Sequence, residues 1–343
     1  MEDWKKRRVL TTLGKRWKEA FWKLLLNKAK KGERRVNLVT ERLFRCGLAA
    51  ALSFVALGMT PVTAQGAVSD ETFIDLCENG TVENVHRLIR NGANVNARNN
   101  TISEKYSMTA LMAAAKNPNP GVVKVLLENG ANIYARNKYG MTALMYAANG
   151  NSNPEVMKVL VEDGADLNVK DYAFGQTALM LAVQENSDPE VVKMLLKKGA
   201  DIHARDNVFG GTALLFAAMK NSNPEVVKTL VAGGADINAR DNALGQTALM
   251  LAAQESFDPE VVKMLLAGGA DVNAKDNGDR TALIHAAQSD SGPEVVKALL
   301  AGGADVRAVD KEGHDVFWWA QRNPGDNKEK IVQILKEYAS FGQ

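Results

Sequence analysis

The sequence predicts a mainly α-helical solenoid of helix–turn–helix repeats with short β-hairpin fingers, in about eight units including two caps. Three phrases that keep phase along the chain lead to this prediction. The first is Thr-Ala-Leu, which begins at Thr109, Thr142, Thr177, Thr212, Thr247 and Thr281. The second is Gly-Ala-Asx, which begins at Gly92, Gly130, Gly164, Gly199, Gly234, Gly269 and Gly303. The third, PEVVKMLL, occurs at 189–196 and at 259–266. Such phrases are typical of architectures in which one supersecondary unit stacks on the next.

Residues 175–205 show how one unit is built. Thr177 begins a first helix, because a threonine hydroxyl accepts hydrogen bonds from the free amides of a helix N-terminus. Asp188 caps a second helix, and Pro189 suits its first position. Gly199 ends that helix, because glycine adopts the left-handed conformation at low cost. Each unit is therefore helix, loop, helix and an extended hairpin segment.

One such unit cannot bury its own apolar surface. Val191 and Val192 are adjacent and point to different sides of the second helix, so each unit needs two neighbours. The ends of the stack need different sequences: the first unit lacks Thr-Ala-Leu, and the last has Asp-Val-Phe at 315–317 instead. We therefore predict a repeat domain at 71–343, with an N-terminal cap at 71–98, internal repeats at 107–309 and a C-terminal cap at 313–343.

The repeated unit resembles the ankyrin repeat, over nearly the whole of 71–343. Residues 276–287, 294–300 and 303–306 carry most of that family's pattern. Alanine replaces the proline of the family's Thr-Pro-Leu throughout. The histidine that follows in the family is replaced by Met112, Met145, Met180, Leu215, Met250 and Ile284. We expect packing to take the place of the family's buried Thr–His hydrogen bonds.

The resemblance implies a non-enzymatic module that binds a protein partner, through its hairpin tips and through the concave face of its first helices. The large residues directly before the hairpin glycine are Tyr139, Phe174, Phe209 and Leu244. Turns normally favour small or polar residues, so these four predict an apolar stripe about 30 Å long if units stack about 10 Å apart. The alternative is that the extra hairpin residue folds each tip back against its neighbour.

A second candidate contact set follows the first helices and lines the concave face. Its members are Asn149, Gln184, Glu185, Met219, Lys220, Gln254, Glu255, Gln288 and Ser289. They differ between units, as contact residues do. The alternative for this set is a plain solvated face.

Residues 1–64 differ from the rest of the chain. They hold 15 Lys or Arg against 5 Asp or Glu, whereas the remainder holds 27 against 35. Residues 46–59 form an uncharged apolar run between a basic flank and small residues, which is typical of a secretory signal peptide. We place the signal at 36–64, with cleavage after Ala64 or, alternatively, after Ala67. A membrane span needs about 20 apolar residues. The run approaches that length only if residues 60–64 are included, so an uncleaved anchor is the runner-up.

Residues 1–35 allow two interpretations. Their apolar residues at helical spacing suggest an amphipathic helix on an anionic membrane: Leu10, Leu13, Trp17, Phe21 and Leu24. We favour the alternative that translation begins later, near Val36. The expected location is the bacterial periplasm or cell envelope. An inner-membrane anchor and a secreted effector that acts on host proteins are the alternatives.

Several kinds of site are excluded by the pattern. The acidic body argues against nucleic-acid binding. The histidines are scattered, so we expect no catalytic centre: His86, His203, His285 and His314. Residues between the hairpin aspartates interrupt a calcium pattern, so we expect no metal or cofactor. Cys77 is expected to be a buried apolar residue, and the domain is expected to be a monomer.

Overall fold

The computed structural model describes residues 68–99, 107–185, 188–220, 223–255, 259–289 and 291–341. The basic extension, the predicted signal peptide and its cleavage after Ala64 or Ala67 lie outside these ranges. Among the helices of the described ranges, none has the length and the apolar character that crossing a bilayer requires.

The described chain is a succession of helix pairs. In chain order the helices are α1 Asp70–Asn79, α2 Val82–Arg90, α3 Ala110–Ala114, α4 Pro120–Glu128, α5 Ala143–Ala148, α6 Pro154–Glu162, α7 Ala178–Glu185, α8 Pro189–Lys197, α9 Ala213–Lys220, α10 Pro224–Ala232, α11 Ala248–Glu255, α12 Pro259–Ala267, α13 Ala282–Gln288, α14 Pro293–Ala301, α15 Val316–Gln321 and α16 Lys328–Phe341. First helices contact first helices of adjacent units, and second helices contact second helices. The predicted helical solenoid is therefore confirmed.

The helix termini follow the predicted chemistry. The Thr177 hydroxyl accepts from the Met180 amide at 3.4 Å, and the Asp188 carboxylate accepts from the Glu190 amide at 3.0 Å. Gly199 follows the second helix with φ of 97°. A cap of this kind contributes about 1 kcal/mol, and the stack renews it in unit after unit.

The core runs continuously through the stack. Ala178, Leu179 and Met180 of α7 are buried, as are Val191 and Val192 of α8. The residues that replace the family histidine are all buried, so packing does take its place: Met112, Met145, Met180, Leu215, Met250 and Ile284.

The fingers between the units are short hairpins with little strand pairing. In the described ranges the only strand-like pairs are isolated antiparallel bridges, Arg98–Thr109, Arg240–Thr247 and Val309–Asp315. A backbone bond closes the turn of a finger, as from the Asp206 amide to the Gly211 carbonyl at 3.0 Å. The Asp206 carboxylate accepts from the amides of Val208 and Phe209 and, through its second oxygen, from Gly211 at 2.6 Å. The amides at the tip are thus satisfied within the finger itself.

Basic side chains connect each finger to the next. Lys170 Nζ donates to the carbonyl of Arg205 at 2.7 Å, and Arg205 Nη1 donates to the carbonyl of Arg240 at the same distance. The row of residues that are joined in this way is Arg98, Arg136, Lys170, Arg205, Arg240 and Lys275. Each bond links equivalent positions of adjacent units, so the row holds the fingers in register.

Asparagines connect the loops between the paired helices. Asn151 Nδ2 donates to the carbonyls of Ala115 and Asn117 in the preceding unit, at 2.7 and 3.0 Å, and its oxygen accepts from the Asn153 amide. Asn117 and Asn323 make the equivalent bonds to their own preceding units. The asparagine therefore satisfies carbonyls at the end of one first helix and shapes the loop of the next.

The C-terminal cap is held by an aromatic cluster. Trp319 Nε1 donates to Asp310 Oδ2 at 2.9 Å, which fixes the indole against the last finger. The neighbouring Trp318 ring stacks on His314, with 3.6 Å between centroids, and the Arg322 guanidinium lies 3.7 Å from the Trp318 centroid. His314 and Arg322 thus cover the indole of Trp318, which is only partly buried.

We predict that Asn151→Ala lowers the free energy of unfolding by about 1–3 kcal/mol, because it leaves two buried carbonyls without a donor. The measurement is a urea titration followed by circular dichroism. Asn149→Ala is the matched control: Asn149 is exposed, and its effect should stay within about 0.5 kcal/mol. Equal urea midpoints for Asn151→Ala and the unmodified chain would contradict the role of this bridge.

Candidate protein-binding surface

The predicted tip residues are fixed through their backbone. Each tip carbonyl accepts a hydrogen bond from an amide of the next finger, at 2.6–2.7 Å. The bonded pairs are Tyr139 with Tyr172, Phe174 with Asn207, Phe209 with Asn242 and Leu244 with Asn277. The tips are thus ordered before any partner arrives.

The glycine after each tip permits this close approach. Gly175 has φ of 72°, and a Cβ on it would lie 2.3 Å from the side chain of Asn207. Gly210 has φ of 66°, and its Cβ would lie 2.2 Å from Asn242. Any larger residue would be strained in its backbone, and the asparagine side chain of the next finger would have to move.

The tip side chains are less exposed than a free stripe would be. Leu244 is exposed to 56%, whereas Tyr139, Phe174 and Phe209 are half-buried. All four tip carbonyls are bonded to the next finger, so the exposure of the side chains varies although the backbone arrangement is the same. Elements of both alternatives from the sequence are therefore present: the tips fold toward their neighbours and still offer apolar surface.

The concave set forms a partly connected polar face. Lys220 Nζ donates to Gln184 Oε1 across adjacent units at 3.1 Å, while Glu185 and Lys220 are exposed. Gln254 is half-buried and donates to Glu255 Oε1 at 3.1 Å. Met219 packs against the core from a half-buried position. This face therefore has two kinds of group: polar side chains that already have a partner, and exposed charged side chains.

A family model described as ankyrin repeats (3 copies) matches the chain over residues 73–171, 179–276 and 249–342. The chain belongs to the ankyrin repeat family. Ankyrin repeats generally mediate protein–protein interaction and are typically non-enzymatic. Among curated proteins, none matches the chain.

Finger length in these ankyrin repeats is coupled to one helix residue, a relation that sequence reasoning missed. Each finger has an Asn or Asp whose side chain accepts from the finger amides, and the next first helix begins at a Thr or Asp cap. Where the cap lies five positions after this Asn or Asp, the fourth residue after the cap has a polar group that bonds to it. These pairs are Asn137 with Tyr146, Asp276 with His285 and Asp310 with Trp319. Where six positions separate them, the helix residue is Leu181, Phe216 or Leu251.

The longer fingers satisfy the Asx in another way. In two of them a further backbone amide donates to the second carboxylate oxygen. The Gln176 amide donates to Asp171 Oδ2 at 2.8 Å, and the Gly211 amide donates to Asp206 Oδ2. An apolar helix residue is then tolerated beside the finger. The signal was present in the sequence, as a spacing of five or six that varies together with one side chain.

His285 is the most deeply placed histidine of this ankyrin domain. Its Nε2 lies 2.9 Å from Asp276 Oδ2, and both side chains are buried. Burial raises the pKa of Asp276. Hydrogen bonds from His285 and from the amides of Arg280 and Gly278, together with the charge of His285, outweigh burial and lower that pKa overall. The pair stabilises a finger, which agrees with the packing role expected for the scattered histidines.

Two further groups bear on possible chemistry. Burial raises the pKa of the Cys77 thiol to about 12, so this side chain behaves as an apolar residue. Asp310, Glu312 and His314 place potential ligand atoms within 4.8 Å of one another. However, Asp310 accepts from the amides of Glu312 and His314 and from the Trp319 indole. This cluster is accounted for by the turn of the last finger.

We predict that acid destabilises the domain partly through Asp276. A carboxyl whose pKa is lowered by folding contributes stability above its unfolded pKa, near 4, and that contribution is lost as pH falls further. Urea midpoints measured between pH 6 and pH 3 should therefore fall less steeply for Asp276→Asn than for the unmodified chain. Asparagine is a suitable replacement, since Asn137 already fills the equivalent place.

Part of the acid sensitivity should persist in Asp276→Asn, because the pKa of Asp310 is also lowered. If the two chains lose stability in parallel over this pH range, Asp276 does not contribute as described.

Proposed function

We propose that this ankyrin domain is an exported, non-enzymatic module that binds a protein partner in the bacterial periplasm or cell envelope. Binding occurs through the finger tips and the adjoining concave face. The observation that carries the proposal is the series of apolar tips whose carbonyls are bonded to the next finger. Because the fingers are ordered in advance, little conformational entropy is lost when a partner docks.

The residues of the concave face extend this surface. Exposed Glu185 and Lys220 lie on first helices and differ in charge between adjacent units. Charged groups at the edge of an interface favour correct partners over wrong ones. Apolar tips would supply the buried contact, and the concave side chains would supply the selection.

We predict that combining Phe174→Ser, Phe209→Ser and Leu244→Ser abolishes partner capture from an envelope extract. The chain itself should stay folded, because these side chains lie outside the buried core cluster, and each half-buried phenylalanine contributes about 1 kcal/mol or less. Capture is measured by affinity purification and mass spectrometry, and folding by circular dichroism. The matched control combines Lys158→Ser, Lys193→Ser and Lys228→Ser on the second helices α6, α8 and α10, which removes only exposed i,i+3 ion pairs.

Two results would count against the tips. If the triple variant at the tips unfolds, these side chains belong to the scaffold. If it remains folded and captures the same partner as the unmodified chain, binding occurs elsewhere.

We predict that the mature protein is recovered from the periplasm or envelope with an N-terminus at residue 65 or 68, following cleavage after Ala64 or Ala67. The apolar run at 46–59, its basic flank and the small residues after it support export. Cell fractionation followed by N-terminal sequencing makes the measurement. Recovery of the intact chain in the membrane pellet would instead favour a tethered spacer, and recovery in the medium would favour a secreted effector.

A further inference from the structure

One finger of the stack differs from its successors in charge. Residues 130–142, here called the cationic finger, contain Arg136 and Lys138 and no Asp or Glu. Asn132 and Asn137 stand where all later fingers have aspartate. Each of those later fingers carries at least two acidic residues, at 164–177, 199–212, 234–247, 269–281 and 303–315. The preceding finger, 92–109, also has asparagine at these two places but carries Glu104, so residues 130–142 form the one finger that has basic residues and no acidic residue.

Two tyrosines at this place are the most exposed large apolar residues of the described chain. Tyr134 is exposed to 65% and Tyr172 to 66%. Both stand where other fingers use asparagine as scaffold. At the position of Tyr134, Asn168 bonds to the next unit through the Asp201 amide, at 2.7 Å. At the position of Tyr172, Asn207 packs against Gly175, and the Tyr172 ring makes the equivalent contact with Gly140.

Arg136 joins the two tyrosines into one surface. Its guanidinium lies 4.4 Å from the centroid of the Tyr172 ring, and its Nε donates to the Gly140 carbonyl at 3.0 Å. Arg136 and Tyr134 line the same cleft of about 230 Å³, together with Val169. The exposed Lys138 lies on the same finger. Tyr134, Arg136, Lys138 and Tyr172 are called the tyrosine–arginine patch below.

We propose that the tyrosine–arginine patch binds an acidic segment of the protein partner, an inference that rests on the proposed function. Carboxylates of the segment would meet Arg136, Lys138 and the phenol hydroxyls, and its apolar side chains would lie on the two rings. Tyrosine and arginine are the residue types that carry most energy in interfaces, since they combine a large apolar area with fixed polar groups. The charge of the patch is complementary to an acidic segment and repels a basic one.

One carboxylate borders the cleft and sets a limit on where the segment lies. Asp166 is exposed, and its Oδ1 accepts from the Asn168 amide at 2.9 Å. Acidic groups of the segment would therefore lie toward Arg136 and Lys138, away from Asp166. The proposal commits to a peptide and not to nucleic acid, because the domain as a whole is acidic.

The test uses the full chain and a fluorescein-labelled peptide of alternating Glu and Leu that carries a photo-cross-linking phenylalanine. Anisotropy gives the affinity, and mass spectrometry of the cross-linked protein gives the location. Cross-links should map to residues 130–175, and binding should weaken as salt rises. Combining Tyr134→Asn, Lys138→Asn and Tyr172→Asn should weaken binding at this site by at least about tenfold.

The replacements are chosen to keep the fold, because asparagine is the residue of equivalent positions in other fingers: Asn168, Asn207 and Asn277. Circular dichroism and the urea midpoint verify this. Val309→Ser is the matched control, since it removes an exposed apolar residue from a finger that carries Asp305 and Asp310 and lies outside both proposed surfaces, and it should leave binding of the peptide unchanged.

Several outcomes would overturn the proposal. These are no binding of the peptide, cross-links confined to residues 1–64, undiminished binding by the triple asparagine variant, and equal binding of a peptide with Lys in place of Glu. Tighter binding of an oligothymidylate at the same residues would also overturn it. If the acidic peptide does not bind while the triple serine variant at the tips still loses partner capture, the proposal for the tyrosine–arginine patch is wrong and the proposed function stands. Capture that survives the serine changes contradicts the proposed function itself.

Discussion

The bond from each finger amide to the carbonyl of the preceding tip is the contact on which the rest of this surface depends. It repeats between four successive pairs of fingers, at 2.6–2.7 Å. Because the bond joins backbone atoms, it fixes the register of the fingers whatever side chain stands at the tip. Glycine is favoured next to the tip, since φ is positive at Gly175 and Gly210 and a Cβ there would displace an asparagine side chain of the following finger. The side chains at the tips are therefore free to vary while the spacing stays constant, which is what a recognition surface on a repeat scaffold requires.

Much of the fold could be predicted from the sequence, and the reason is local. Thr177, Asp188 and Gly199 act within one or two turns of their own helices, so their chemistry is visible in a short window of residues. The burial of Val191 and Val192 also followed from the repeat, because a stacked unit has neighbours on both sides. The extent of strand pairing within the fingers was not visible in the sequence, and in the described ranges it is limited to isolated bridges. Single carboxylates, such as that of Asp206, satisfy the amides at the tips of the fingers.

The exposure of the candidate site could not be predicted in the same way. Phe174 and Leu244 occupy equivalent positions, yet one is half-buried and the other is exposed. Both tips have the same backbone bond to the next finger, so the repeat pattern does not distinguish them. The coupling between finger length and a helix residue was hidden for a related reason. The spacing from Asp276 and the identity of His285 were both readable, but only the structure shows that the two side chains meet.

Departures from the repeat are informative where they converge. Replacing the asparagine that bridges two units by Tyr134 gives up an interaction of about 1 kcal/mol. Tyr172 replaces an asparagine of later fingers but keeps the packing against the preceding glycine, here Gly140. The cationic finger has Asn132 and Asn137 where the later fingers have aspartate. Each change alone is neutral or slightly unfavourable for the scaffold. Together they place one cationic, aromatic surface around Arg136, because Tyr172 stacks on its guanidinium and Tyr134 lines the same cleft.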